Sequence, residues 1–146
     1  MAAHHCRVSQ AAATAACNTI ADLADSGGNG TLVIYTGAEP THANDAAATE
    51  VATCAAAGAF WGAASYTAGT HTSDAALTAT VSDPHATGNA SAATHFRVIN
   101  GSAAVVLQGT CSGTAGDDLV LNSAVIATGS QVDITALTLS VPIDQA

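Results

Sequence analysis

The sequence contains no lysine. Besides histidine, its only cations are Arg7 and Arg97, set against 11 acidic residues for a net charge of −9. Nucleic acids are held by Lys and Arg, which neutralise phosphates and release counterions, and anionic membrane surfaces attract the same residues. Two arginines do not suffice, so neither nucleic acid nor a membrane is expected as a partner. Aromatics make up only 3% of the chain, and Val, Leu, Ile and Phe together are under a fifth of it. The apolar share of 49% is therefore misleading, because Ala supplies about half of it. A chain with so little hydrophobic bulk builds a thin core and leans on neighbours for stability. With only 9% charged residues, its composition is still not that of a disordered chain. The 146 residues fit a single domain, 1–146. No run of 18 apolar residues occurs, so no transmembrane helix is expected. The Ala- and Thr-rich stretch ending at Cys17 lacks Leu and has no firm positive charge before its apolar part, so it does not read as a secretion signal.

The chain is equally short of the motifs that carry chemistry. Cys6, Cys17, Cys54 and Cys111 form no C-x-x-C pair, so zinc is weakly supported. In one helix, Cys6 and Cys17 would be about 16 Å apart along the axis. A disulfide needs Cα atoms within about 7 Å, and buried thiols are the expectation. His4, His5 and Cys6 are soft ligands, but three adjacent residues cannot close around one ion, so a mobile arm over residues 1–8 fits better. His42, Asp45 and His85 read as loop residues, and Asp117-Asp118 as a turn leading into a strand, without the acidic spacing of an EF-hand. His71-Thr72-Ser73-Asp74 contains the residue types of a hydrolase triad, but no G-x-S-x-G elbow is present, and a polar turn is the simpler account. "SGGNG" follows a helix instead of opening one and lacks the Lys of a phosphate loop, so it reads as a helix stop. Arg97 is expected to pair with a carboxylate across a hairpin. No catalytic, cofactor or metal residues are assigned.

What the sequence does have is alternation. Residues 9–25 read as a helix capped by Ser9, with Ala13, Ala16, Ile20 and Leu23, flanked by Cys17 and Ala24, forming one apolar stripe. From residue 30 the period changes to two. "TLVIYT" places Leu32 and Ile34 on one face and Val33 and Tyr35 on the other, a strand covered on both sides. "EVATCAAA", "AALTATVS", "DDLVLN", "AVIAT" and "VDITALTLSVP" read as further strands. "THFRVINGSAAVVLQGTCS" reads as a hairpin about Asn100-Gly101, with Phe96, Val98 and Val106 sharing a face. Phe60-Trp61 anchors a core edge. About eight short strands over 30–142 predict a mainly β fold: an antiparallel β-sandwich, jelly-roll or immunoglobulin-like, with one N-terminal α-helix.

Taken in order, "TLVIYTGAEPT", "AFWGAA", "HFRVINGSAAVVLQGT" and "GDDLVLNSAVIATGSQVDITALTLSVP" resemble a family of small structural proteins of tailed bacteriophages. The resemblance covers residues 12–142, with 65–91 outside its pattern. It implies a non-enzymatic virion component, made in the bacterial host cytoplasm and placed on the capsid surface as a decoration, or cement, protein. Its partners would then be the major capsid protein and copies of itself, as homotrimers at three-fold positions. The segment from Val8 to Leu23, with Val8, Ala12, Ala16, Ile20 and Leu23 as contact residues, would grip a neighbour. A tail or fibre component is the alternative within the same particle. A carbohydrate-binding adhesive module using Phe60, Trp61 and Tyr66 is the alternative from another class.

Overall fold

The computed structural model describes residues 8–143. The fold is mainly β, with one helix and ten strands in two sheets, as the alternation predicts. Helix α1 spans Gln10–Ala24. The strands are β1 (Thr31–Thr36), β2 (Thr49–Ala55), β3 (Ser65–Thr67), β4 (Thr72–Ala76), β5 (Val81–Asp83), β6 (Ala93–Ile99), β7 (Val105–Ser112), β8 (Leu119–Val120), β9 (Val132–Ile134) and β10 (Thr138–Pro142). Seven of them form a sheet in the order β8-β7-β6-β1-β2-β5-β9, and three form a second sheet in the order β10-β4-β3. All pairings are antiparallel except the short β7–β8 contact.

The helix starts and stops where local chemistry says it should. The Ser9 hydroxyl accepts from the Ala12 N–H at 3.2 Å, satisfying one of the free donors of the first turn. At the other end Asp25 is the C-cap, and its carboxylate reaches beyond the helix. It accepts from the Gly30 N–H at 3.1 Å and from the Phe60 N–H at 2.9 and 3.0 Å. Gly30 is required there, because a Cβ would press on the Phe60 ring and on the Ala24 carbonyl at 2.9–3.0 Å.

The buried face of α1 consists of Ala13, Cys17, Ala21 and Ala24. The expected stripe is therefore corrected: Ala13, Cys17 and Ala24 do pack inward, joined by Ala21, whereas Ala16 and Leu23 are exposed and Ile20 is half-buried. Small side chains let the helix lie close on the three-stranded sheet. Thr14 and Ser73 exchange a hydroxyl hydrogen bond at 2.9 Å, and the Ala64 N–H donates to Asn18 Oδ1 at 2.7 Å.

β1 lies at the centre of the large sheet, with Leu32 and Ile34 fully buried in the main core and Val33 and Tyr35 buried on the opposite face. The β6–β7 hairpin forms, but not through a two-residue turn. Ile99 pairs with Val105, leaving residues 100–104 as the loop. There Asn100 Oδ1 accepts from the N–H groups of Ser102 and Ala104. A Cβ on Gly101 would overlap the backbone of Gly27 and Gly28, so the hairpin tip rests on the glycine-rich segment after α1. The register shift between Val98 and Ile99 puts Leu107, not Val106, opposite Val98.

Three expected strands take other forms. "AALTATVS" is divided between β4, which begins at Thr72, and β5. "AVIAT" is a loop that buries Ile126. "VDITALTLSVP" is divided between β9 in one sheet and β10 in the other, so this segment crosses from sheet to sheet.

Replacing Asp25 with Ala removes a charged acceptor shared by three chain segments. We expect a loss of about 1.5–3 kcal/mol, the range for hydrogen bonds to charged groups, with a smaller loss for Asp25→Asn, both read from urea unfolding midpoints.

Candidate functional site

The five residues expected to contact a partner lie along one helix and its entry. Val8 is 44% exposed just before the N-cap, Ala12 and Ala16 are exposed, Ile20 is half-buried, and Leu23 is 49% exposed in the last turn. The helix thus buries only small apolar residues and leaves Leu23 outside, unlike an ordinary amphipathic helix, which turns its large apolar residues inward. The rest of the expected arm, residues 1–7 with His4, His5, Cys6 and Arg7, lies outside the described residues.

A second apolar surface has no counterpart in the sequence reading. Val120 and Val125 are 54% and 49% exposed. They line a groove of about 430 Å³ whose walls include β8 and β9, the two edge strands of the large sheet. Only the tertiary arrangement reveals it, because strands so short carry no mark in the sequence of being edges.

The polar residues singled out from the sequence are used structurally. Ser73 is buried and bonded to Thr14, and Asp74 accepts from Ser140 and Thr72. His71 Nδ1 lies 3.5 Å from the Tyr66 hydroxyl. These bonds do not connect the three residues as a triad, and Thr72-Ser73-Asp74 is part of β4 instead of a turn. Asp118 accepts from the Thr110 N–H at 2.9 Å and Asp117 binds the Ser112 hydroxyl, so both carboxylates brace the end of β7. The Asp45 N–H donates to the His42 carbonyl, and the His85 N–H to Asp83, closing two turns. Among the described residues, no group of three or more His, Cys, Asp or Glu is placed to hold a metal ion, and no helix is long and apolar enough to cross a membrane.

Cys17, Cys54 and Cys111 are buried free thiols. Burial pushes the last two up to about 12, helped by Asp83 and Asp133 at Cys54 and by Asp117 and Glu39 at Cys111. A thiol held protonated is a poor nucleophile and a poor metal ligand. Phe60 and Trp61 are packed edge to face, with ring centroids 4.7 Å apart, and both are buried. They are the expected core anchor and offer no exposed ring to a sugar.

The most unusual polar group lies on the outer face of the large sheet. Arg97 is buried, and its Nε donates to Gln108 Oε1 at 2.9 Å. Gln108 in turn donates to Glu39 at 3.1 Å and to the Pro40 carbonyl at 2.9 Å. The expected cross-hairpin carboxylate is therefore an amide, which relays the guanidinium to Glu39. The Arg97 guanidinium carbon sits 5.8 Å from the Tyr35 ring centre, and His95 stacks on the same Tyr35 at 5.2 Å. Burial lowers the pKa of His95; Glu39 opposes the shift and Arg97 reinforces it.

The chain matches no family model, no curated protein and no solved structure in the three comparisons made.

The His95 cluster predicts an acid weakness. An unfolded imidazole takes its proton near pH 6.5, whereas buried His95 does so only at lower pH. The unfolded state then binds more protons, so stability falls as pH drops from about 6.5 toward the folded pKa. Asp74 and Asp133 are held below the usual carboxylate range chiefly by Ser140 and Ser82. Their contribution is lost in a separate step below about pH 4. Thermal melts from about pH 8 to about pH 5 should show the first step in the wild type and a flatter profile in His95→Gln.

Proposed function

We propose that this chain is a non-enzymatic structural protein of a bacteriophage particle, acting as a capsid decoration protein that docks on the outer shell and on copies of itself. The observation that carries the proposal is the row of exposed Val8, Ala12, Ala16 and Leu23 and half-buried Ile20, along α1 and the residue before its cap, on a helix whose inner face is already filled. Exposed apolar side chains arranged in a row are suited to burial against a neighbour. Many copies, each held by a modest contact, grip a symmetric lattice through multivalency.

Two further features support this reading. The chain has no Lys and a net charge of −9, a composition suited to the outside of a shell and not to contact with packaged nucleic acid. The order of motifs from residue 12 to residue 142 resembles small virion proteins of tailed phages. In the proposed assembly, the helix row meets the major capsid protein, and copies associate as homotrimers around the three-fold positions.

Electron micrographs of particles produced from the genome that carries this sequence test the proposal. The chain should occupy regular head positions in fixed ratio to the shell subunit. A few copies confined to the tail tip would replace the proposal with a tail or fibre role, and absence from particles would end it. Val8→Asp and Leu23→Lys both suit the helix dipole at their ends, so the fold should persist. Shell binding by the double variant should weaken by about tenfold or more, the scale of one lost apolar contact, with an unchanged melting temperature.

A further inference from the structure

Of the asparagines in the chain, only Asn29 and Asn100 are followed by glycine. An Asn-Gly pair can react with itself: the glycine nitrogen attacks the side-chain carbonyl carbon, and the asparagine ends as an acid. Glycine favours the reaction because it has no Cβ to hinder the backbone turn that ring closure needs. The two pairs share this chemistry, and the fold gives them opposite surroundings.

Asn100 opens the tip of the β6–β7 hairpin, and its side-chain carbonyl is held by two donors. Oδ1 accepts from the Ser102 N–H at 3.1 Å and from the Ala104 N–H at 2.9 Å. These are the distances at which backbone donors stabilise an oxyanion, and negative charge collects on this oxygen when the carbonyl carbon is attacked. The Asn100 backbone is pinned as well: its N–H donates to the Ala104 carbonyl, and its carbonyl accepts from the Ala103 N–H, both at 2.9 Å. Gly101 is exposed, and its N–H donates to no group among the described residues, so solvent base reaches it. At Asn29 each condition is reversed. Its Nδ2 donates to the Ala56 carbonyl at 3.3 Å, and its Oδ1 accepts from none of the described residues. Gly30 is buried, and its N–H donates to Asp25 Oδ1 at 3.1 Å. Loss of that proton is disfavoured, because the anion left behind would stand beside a carboxylate. The Phe60 side chain and the Ala24 carbonyl, 2.9–3.0 Å from where a Cβ would stand, keep Gly30 in place.

We propose that Asn100 is a site of self-modification, where the folded hairpin tip converts the asparagine to aspartate and isoaspartate with water as its co-reactant. The Gly101 nitrogen gives its proton to solvent base and forms a bond to Asn100 Cγ. The Ser102 and Ala104 N–H groups stabilise the charge that develops on Oδ1. The Cγ–Nδ2 bond then breaks, Nδ2 takes up a proton and leaves as ammonia, and a five-membered succinimide remains. Water opens this ring at either carbonyl. Breaking the new Cγ–N bond gives aspartate on the original main chain. Breaking the original peptide bond gives isoaspartate, whose main chain runs through Cβ and Cγ. Either product carries a carboxylate in place of a neutral amide, at a tip that rests on Gly27 and Gly28. The site is independent of the proposed virion role, since it uses no residue of the helix row.

The test is peptide mass mapping of the purified full chain, aged while folded in mildly alkaline buffer made with heavy-oxygen water. The label marks acids formed during ageing and separates them from any formed during digestion. Labelled aspartate and isoaspartate should accumulate at Asn100 about tenfold or more faster than at Asn29, the ratio produced by roughly 1.4 kcal/mol of barrier. A parallel sample in urea removes the fold. There the two pairs should react at similar rates, and Asn100 should react no faster than it does in the folded protein. The proposal is overturned if Asn29 keeps pace with Asn100 in the folded protein, or if unfolding accelerates the reaction at Asn100. The first result would show that the fold does not distinguish the pairs, and the second that the hairpin protects Asn100 instead of activating it.

Discussion

The carboxylate of Asp25 is the constraint on which the rest of the packing depends. It ends the helix, holds the first residue before β1 through the Gly30 N–H, and holds the Phe60 backbone from a segment 35 residues away. Three directions of the chain are set at one acceptor. The fixed position of Phe60 fixes Trp61 against it, and these are the bulkiest neighbours in the core. Gly30 completes the junction because only a residue without Cβ lets the Phe60 ring close over it. Near a helix C-terminus a carboxylate is mildly unfavourable with the dipole, and here three charge-assisted hydrogen bonds outweigh that term.

From that junction the helix lies on the small sheet through its smallest side chains. Buried Ala13, Cys17, Ala21 and Ala24 bring the backbone close to β4 and β10; the Thr14 hydroxyl then meets Ser73 of β4, and Asn18 Oδ1 accepts from Ala64 just before β3. Larger residues on that face would hold the helix away and break those bonds. Close approach therefore consigns Leu23 and Val8 to the outside. Their outward position is thus a consequence of how the thin core closes.

This also explains which parts of the architecture could be read from the sequence. The helix ends, β1, β2, the β6–β7 hairpin and the mainly β class follow from local signals: Ser9 as a cap, alternation in "TLVIYT", and Asn100-Gly101 between two alternating runs. Helical spacing marks the apolar residues of α1 but not which of them face the core: apolar size usually predicts burial, and here packing distance selected Ala21 over Leu23. The crossing of "VDITALTLSVP" between sheets carries no local mark, since both halves alternate in the same way. The five-residue hairpin loop rests on Gly27 and Gly28, 70 or more residues away in sequence, a contact with no local mark. The Asp25 junction and the groove beside Val120 are likewise products of tertiary placement.

Charge completes the argument. With no Lys and two Arg for 11 acidic residues, the chain has few cations to pair with its carboxylates, and it binds several of them with N–H and hydroxyl donors instead. Asp25, Asp83 and Asp118 accept from backbone amides, and Asp74 and Asp133 accept from serines. Such bonds satisfy each oxygen locally but leave its charge in place, so the folded surface keeps the negative charge of the composition. Two such negatively charged copies approaching each other meet repulsion that extends about 8–10 Å at physiological salt. In the proposed assembly, attraction would come from apolar contact at short range, where Val8 and Leu23 stand outward. On that proposal, the surface would discourage random association at a distance and reward only a close, well-fitted seam.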